Sequence, residues 1–114
     1  MSISSFFHTI GGSRASVVVR QQHGLHARPG AAIAKVTSKT DLPLYFTSSA
    51  GGTKNVRGSL LSILQLQIGE GSKVKIEAPK NYPKDIFHNV LEIITAPNPD
   101  ICQKFMSVIE LAKY

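Results

Sequence analysis

One cysteine, Cys102, stands in the 114 residues, so no disulfide can form within the chain. That scarcity agrees with a reducing compartment, and the cytoplasm is the expected location. No apolar run approaches the ~18 residues of a membrane-spanning helix, so membrane insertion is not expected. The start, Met1-Ser2-Ile3-Ser4-Ser5-Phe6-Phe7-His8, has no basic stretch followed by a long apolar one, which reads against a secretory leader. Acidic residues are few: 7 Asp and Glu against 13 Lys and Arg give a formal charge of +6. The cations are scattered, without a Lys/Arg run and with few aromatics beside them. The electrostatic footprint of a nucleic-acid binder is therefore weak. Steering toward acidic faces of partner proteins is the better use of the charge. Internal repeats and low-complexity segments are absent.

What remains is enough for one modest core and not two. A hydrophobic fraction of 42% with 18% charged residues fits a globular chain. Residues 1–14, with their serines and Gly11-Gly12-Ser13, read as a flexible extension to which His8 brings no role. Residues 15–96 read as the domain and residues 97–114 as a helical extension.

Within the domain, β-branched Val17-Val18-Val19 predicts a strand. A helix is expected from Pro29 to about Ser38, burying Ala32, Ile33 and Val36. Gly30 is a poor helix residue, and its small size suggests room for a partner or a phosphate. A second strand covers Leu42 to Ser48, turned by Ala50-Gly51-Gly52 into Thr53 to Val56. Ser59 suits the N-cap of a short helix carrying Leu60, Leu61, Ile63, Leu64 and Leu66, with Gly69 at its exit. Lys73-Val74-Lys75-Ile76-Glu77-Ala78 alternates polar and apolar, as a half-exposed antiparallel strand does. Pro83 opens a helix with an apolar stripe of Ile86, Phe87, Val90, Leu91 and Ile94. The order β-α-β-β-α-β-α predicts an α+β open-faced sandwich: a four-stranded antiparallel sheet covered on one face by three helices. Beyond it, Asn98 before Pro99 would cap one more helix with Ile101, Phe105, Val108, Ile109 and Ala112 on one face. That helix either packs on the domain and extends the core or docks a partner or a second copy.

The most informative run is Gln22-His23-Gly24-Leu25-His26-Ala27-Arg28-Pro29-Gly30. His26 lies three residues before a proline, with an arginine between them, at the expected mouth of a helix. Pro29 fits the first helical position. Free N–H groups of a helix's first turn and its dipole attract anions, and the Arg28 guanidinium matches a phosphate. An imidazole aimed there is a nucleophile for a phosphoryl group. The competing reading is a surface histidine in a loop beside an N-cap. His23 makes a metal pair with His26 conceivable, but no Cys or acidic residue near them in sequence completes a ligand set. His88 reads as a helix-surface residue. No cofactor is called for.

Gly24-Leu25-His26-Ala27-Arg28-Pro29 closely resembles the active-site signature of the histidine-containing phosphocarrier (HPr) family of the bacterial sugar phosphotransferase system. Downstream, Asn55-Val56-Arg57-Gly58-Ser59-Leu60-Leu61-Ser62-Ile63-Leu64-Gln65 is similar to the family's regulatory-serine segment. The similarity runs from about Ser16 to Thr95. It implies an HPr-like fold and a stoichiometric carrier rather than an enzyme. It further implies that His26 takes a phosphoryl group on Nδ1 from enzyme I, charged by phosphoenolpyruvate, and passes it to sugar-permease domains. Arg28 and the backbone N–H groups of Ala27, Arg28 and Gly30 would neutralise the phosphate. Ser59 matches the serine phosphorylated in some bacteria by a kinase/phosphorylase, although Gly58 departs from the basic residue many relatives carry before it. Leu60 and Leu61 match an apolar docking patch, with burial the competing assignment for one of them. The alternatives are the nitrogen-related branch of the same system and a regulatory docking protein acting through Ser59. Residues 97–114 depart from the family, whose chains usually end near the third helix.

Overall fold

The computed structural model describes residues 12–107 and 110. Its elements are β1 (Ser13–Val18), α1 (Ala27–Thr37), β2 (Tyr45–Ser48), β3 (Gly52–Asn55), α2 (Leu60–Gln65), β4 (Lys73–Ala78), α3 (Lys84–Thr95) and a 3-10 helix (Pro99–Lys104). The strands form one antiparallel sheet in the order β1-β4-β2-β3. With helices packed on one face, this is the open-faced α+β sandwich expected from the pattern.

The alternation of β4 decides which face is covered. Val74, Ile76 and Ala78 are buried, and the register sets Val17, Ala15 and Ser13 opposite them on β1. Phe46 of β2 lies across from Ile76. Over this layer α1 lays Ala32, Ile33 and Val36, as its periodicity predicts, and α3 lays Ile86, Val90, Ile93 and Ile94. Ile93, outside the expected stripe, is fully buried, while Phe87 and Leu91 pack only partly on the core. The buried face of α3 is centred on Ile86, Val90, Ile93 and Ile94, turned away from Phe87 and Leu91.

Several boundaries move for identifiable reasons. The first strand opens at Ser13, so Ser13 and Arg14 are strand residues rather than tail. Residues 1–11, His8 among them, lie outside the described residues. The second strand starts at Tyr45 rather than Leu42. Pro43 has no N–H for a ladder, and the Leu44 N–H donates to Asn55 Oδ1 at 3.4 Å. Helix α1 starts at Ala27, two residues before Pro29. The left-handed residue that ends α2 is Gln67, at φ 54°, and not Gly69. Gly30 leaves no room for a visitor: a Cβ there would lie 2.6 Å from Leu60 Cδ1. Its smallness lets the start of α2 close on the start of α1.

Beyond α3 the chain folds back as a 3-10 helix, capped by Asn98, whose side chain accepts the Asp100 N–H at 3.0 Å. Cys102 and Met106 enter the core, with Ile101 and Phe105 partly buried against it. Ion pairs join Lys104 to Glu92 and Lys35 to Glu110. The described part of the extension therefore enlarges the core. Val108, Ile109 and Ala112 lie outside the described residues.

One carboxylate sits against the pattern. Glu77 projects from the side of β4 away from the core, across from Arg14 and Tyr45, yet it is only 3% exposed. Its Oε2 has no hydrogen-bond partner among the described residues. Burial pushes its carboxyl above the usual range, and the charges of Lys75 and Arg14 only partly offset this. Because the native state holds this proton more tightly than the unfolded chain, ionisation opposes folding. The penalty is absent below the ordinary Glu value of about 4.3 and complete once pH has passed the raised native value. Glu77→Gln should therefore gain stability over the parent at pH 7, and the gain should shrink as pH falls toward 4. Urea unfolding of both proteins across that range checks the sign.

Candidate functional site

The loop from Arg20 to His26 carries the central motif, and backbone contacts fix it on both sides. On one side, Leu25 N–H donates to Ile68 O at 3.0 Å. Gly24, at φ 80°, lies so close to the connection between α2 and β4 that a Cβ would be 2.4 Å from Ile68 O. Only glycine meets both the left-handed backbone and that approach. On the other side, Arg20 N–H donates to Ile94 O at 2.9 Å and Gln22 N–H to Pro97 O at 3.2 Å. His23 takes a left-handed φ of 67°, and its N–H points at Glu70 Oε1, 3.4 Å away.

His26 is the N-cap of α1, in extended backbone, and its carbonyl accepts the Gly30 N–H at 2.8 Å. An N-cap side chain ordinarily accepts an N–H from the second or third helical residue. Here the third residue is Pro29, which has none, and the imidazole makes no capping bond. The ring stays exposed. Pro29 thus acts at the third helical position rather than the first, by removing a donor that would compete for the ring. The Gly30 N–H, expected to face an anion, is committed to the helix. The N–H groups of Ala27 and Arg28 remain without a helical acceptor, as the first positions of any helix do.

These groups share an open depression of ≈ 410 Å³ lined by Gln22, His23, His26, Ala27, Arg28, Pro29 and Pro99. Arg28 is exposed. Its charge reaches the buried Cys102 thiol, partly opposing the upward push of burial. The His23 and His26 rings are 6.3 Å apart and tilted by 59°. Among the described residues no group of three His, Cys, Asp or Glu is placed to hold a metal ion. His88 lies elsewhere, beside Arg14 and Lys84.

His26 also borders a second depression of ≈ 240 Å³, with Leu25, Leu64, Gln67, Ile68 and Gly69. Among the described residues, Leu61 and Leu64 are the large apolar side chains left most open, 65% and 42% exposed. Leu60 instead turns toward Gly30 and is half-buried. Of the two leucines singled out from sequence, Leu61 faces solvent and Leu60 is the more buried, while Leu64 is exposed as well. The i, i+3 spacing of Leu61 and Leu64 was the available signal. Ser59, half-buried, is the N-cap of α2. Its Oγ accepts the Ser62 N–H at 3.1 Å and lies 2.9 Å from Ser62 Oγ.

The family described as "PTS HPr component phosphorylation site" matches residues 13–96 of this sequence. The chain belongs to the HPr family. Its fold agrees with solved structures of that family. A phosphocarrier protein HPr from Bacillus anthracis str. Ames aligns with a TM-score of 0.64 at 23% identity, over 73% of this chain and 96% of that one. HPr-C-His from Thermoanaerobacter tengcongensis gives 0.64 at 22%, over 72% and 90%. The histidine-containing phosphocarrier protein of a Mycoplasma gives 0.63 at 22%, over 71% and 90%. Among curated proteins nothing matches. At such identity the solved structures establish the HPr fold, while the family match covers both the His26 loop and the Ser59 segment. Among the described residues no helix is long and apolar enough to cross a membrane.

Gly24→Ala is expected to destabilise the protein by about 1–3 kcal/mol, the usual cost of overpacking, and to shift the His26 ring signals in NMR spectra. Equal stability with unchanged ring signals would show that the Gly24 contact does not hold the loop.

Proposed function

We propose that this HPr-family chain is a phosphoryl carrier of the sugar phosphotransferase system, with His26 Nδ1 as the acceptor. The observation that carries this reading is an exposed imidazole at a helix N-cap, free of any capping bond. It opens on the same depression as Arg28 and the first two N–H groups of α1. Phosphoryl transfer asks a carrier for in-line positioning and charge neutralisation, and little else. The Nδ1 lone pair forms the N–P bond as the bond from phosphorus to the donor breaks. Arg28 and the Ala27 and Arg28 N–H groups meet the phosphoryl oxygens, aided by the helix dipole. The donor is enzyme I, charged by phosphoenolpyruvate, and the next acceptors are sugar-permease domains.

The openness of the site serves this role. A pocket that stabilised the bound phosphate strongly would make its onward transfer slow. The protein is therefore a stoichiometric relay component, with no resident cofactor in the scheme. Leu61 and Leu64, beside the ring, offer partners an apolar surface, and the positive net charge steers acidic faces toward it. The work is that of the cytoplasm, where phosphoenolpyruvate is available.

Ser59 offers a second, regulatory position for a kinase/phosphorylase. A phosphate on its Oγ would sit at the N-terminus of α2, a favourable place for negative charge. The fold can stay as it is while docking beside Leu61 changes. This serine segment favours the sugar branch over the nitrogen-related one.

Incubation with phosphoenolpyruvate, magnesium and enzyme I should add one acid-labile, base-stable phosphate to the intact mass, absent in His26→Ala. Arg28→Ala should keep the acceptor but slow its phosphorylation by about 10²-fold, the scale of losing one transition-state donor. No added phosphate on the parent chain with any cognate enzyme I would sink the carrier reading. Ser59→Ala should lose about 1 kcal/mol of stability through its cap and still accept phosphate at His26.

A further inference from the structure

The family match ends at residue 96, yet the chain immediately beyond it touches the His26 site. Pro99 forms part of the wall of the larger depression, facing His26 and Arg28. Pro97 O accepts the N–H of Gln22 at 3.2 Å. The link between these parts is Gln21, whose side chain is 0% exposed. Its Nε2 donates to Ile93 O at 2.8 Å and to Asn98 O at 3.1 Å. One buried amide therefore ties the active loop to the last turn of α3 and to the extension together. Gln21 O in turn accepts the Gly24 N–H at 2.9 Å, and Gly24 O accepts the His26 N–H at 3.0 Å. The path from the extension to His26 is a continuous series of hydrogen bonds. The anchor at its far end is firm, because Cys102 and Met106 of the extension lie in the core.

We infer that Gln21 and residues 97–99 form a clasp that positions His26 for phosphoryl transfer. Gln21 is a positioning residue: it touches neither the ring nor the phosphate. The buried position explains why a glutamine serves here. Its amide supplies two donors to two carbonyls at different points of the chain. A carboxylate at this place would repel both carbonyls, and an aliphatic side chain would remove both bonds. The extension does more than enlarge the core, since Pro97 O and Asn98 O take two of the loop's bonds to the rest of the fold, beside those to Ile68, Glu70, Ile93 and Ile94. The inference rests on His26 being the phosphoryl acceptor.

The test uses the full chain, since Cys102 and Met106 make the extension part of the fold. Gln21→Met keeps length and removes both donors. With phospho-enzyme I as donor, its kcat should fall about 5- to 10-fold with KM unchanged. A nucleophile out of line loses rate, whereas the Leu61 and Leu64 surface remains intact. The His26 ring signals should move in the same variant while the Ser59 and Ser62 amide signals stay. In the parent chain the Gln22 amide should exchange with solvent as slowly as core amides. That measurement needs no variant, so it decides the matter even if Gln21→Met does not fold. A folded Gln21→Met with parental kcat and parental His26 signals overturns the clasp, as does a Gln22 amide exchanging at the rate of an open loop. A parent chain that takes no phosphoryl group overturns instead the carrier reading, and is told apart because exchange and ring signals still report whether the clasp exists.

Discussion

A helix whose third residue is proline has one fewer donor in its first turn, and the geometry around His26 depends on that omission. The N-cap residue has its carbonyl fixed by the helix, here through the Gly30 N–H. The backbone of His26 is thus held as firmly as α1 itself. The ring, by contrast, has lost its usual local partner and stays in solvent. Rigid attachment with an uncommitted side chain is an uncommon pairing, because Ser, Thr, Asn or Asp at this place would turn inward to the third N–H. Arg28, one residue before the proline, adds charge from the same turn. The rest of the fold serves to carry this turn: the sheet supports α1, and Gly30 lets α2 close on it.

The parts of this arrangement set by local rules could be read from the chain, and those set by distant contacts could not. The alternation in Lys73–Ala78 left no freedom in placing β4. Pro83 and the spacing of Ile86, Val90 and Ile94 located α3. His26, Arg28 and Ser59 announced themselves by type and position. Pro29 was read at the wrong helical position because both the first and third residues of a helix tolerate a missing N–H. Which of Leu60 and Leu61 is the more buried could not be read locally, because the side of α2 that turns inward is set by Gly30, 30 residues earlier. Gln21 carried no signal at all: nothing in the run Val19-Arg20-Gln21-Gln22 marks one glutamine as buried. Its partners, Ile93 O and Asn98 O, are backbone atoms more than 70 positions away.

Glu77 and the clasp both show polar groups kept in low-dielectric surroundings at some cost. Glu77 leaves Oε2 unpaired, and Gln21 leaves Oε1 unpaired while its Nε2 is fully used. The two differ in what surrounds them. Glu77 stands between cations on the side of the sheet away from the helices and is tempered by them. Gln21 lies under the His26 loop, where a neutral amide can join two carbonyls without adding charge near Arg28. A buried carboxylate there would have opposed the field that Arg28 and the helix N-terminus create.

Most hydrogen bonds that hold residues 20–25 end far away in the chain, at Ile68, Glu70, Ile93, Ile94, Pro97 and Asn98, beside the local bond from Gly24 N–H to Gln21 O. The motif is therefore not portable. A short peptide with Gly24 to Gly30 would hold every residue of the signature, yet it would have neither the left-handed Gly24 seated on the Ile68 carbonyl nor a helix start to display the ring. An exposed imidazole on a fixed helix start is thus a property of the closed chain and not of the local sequence that spells it.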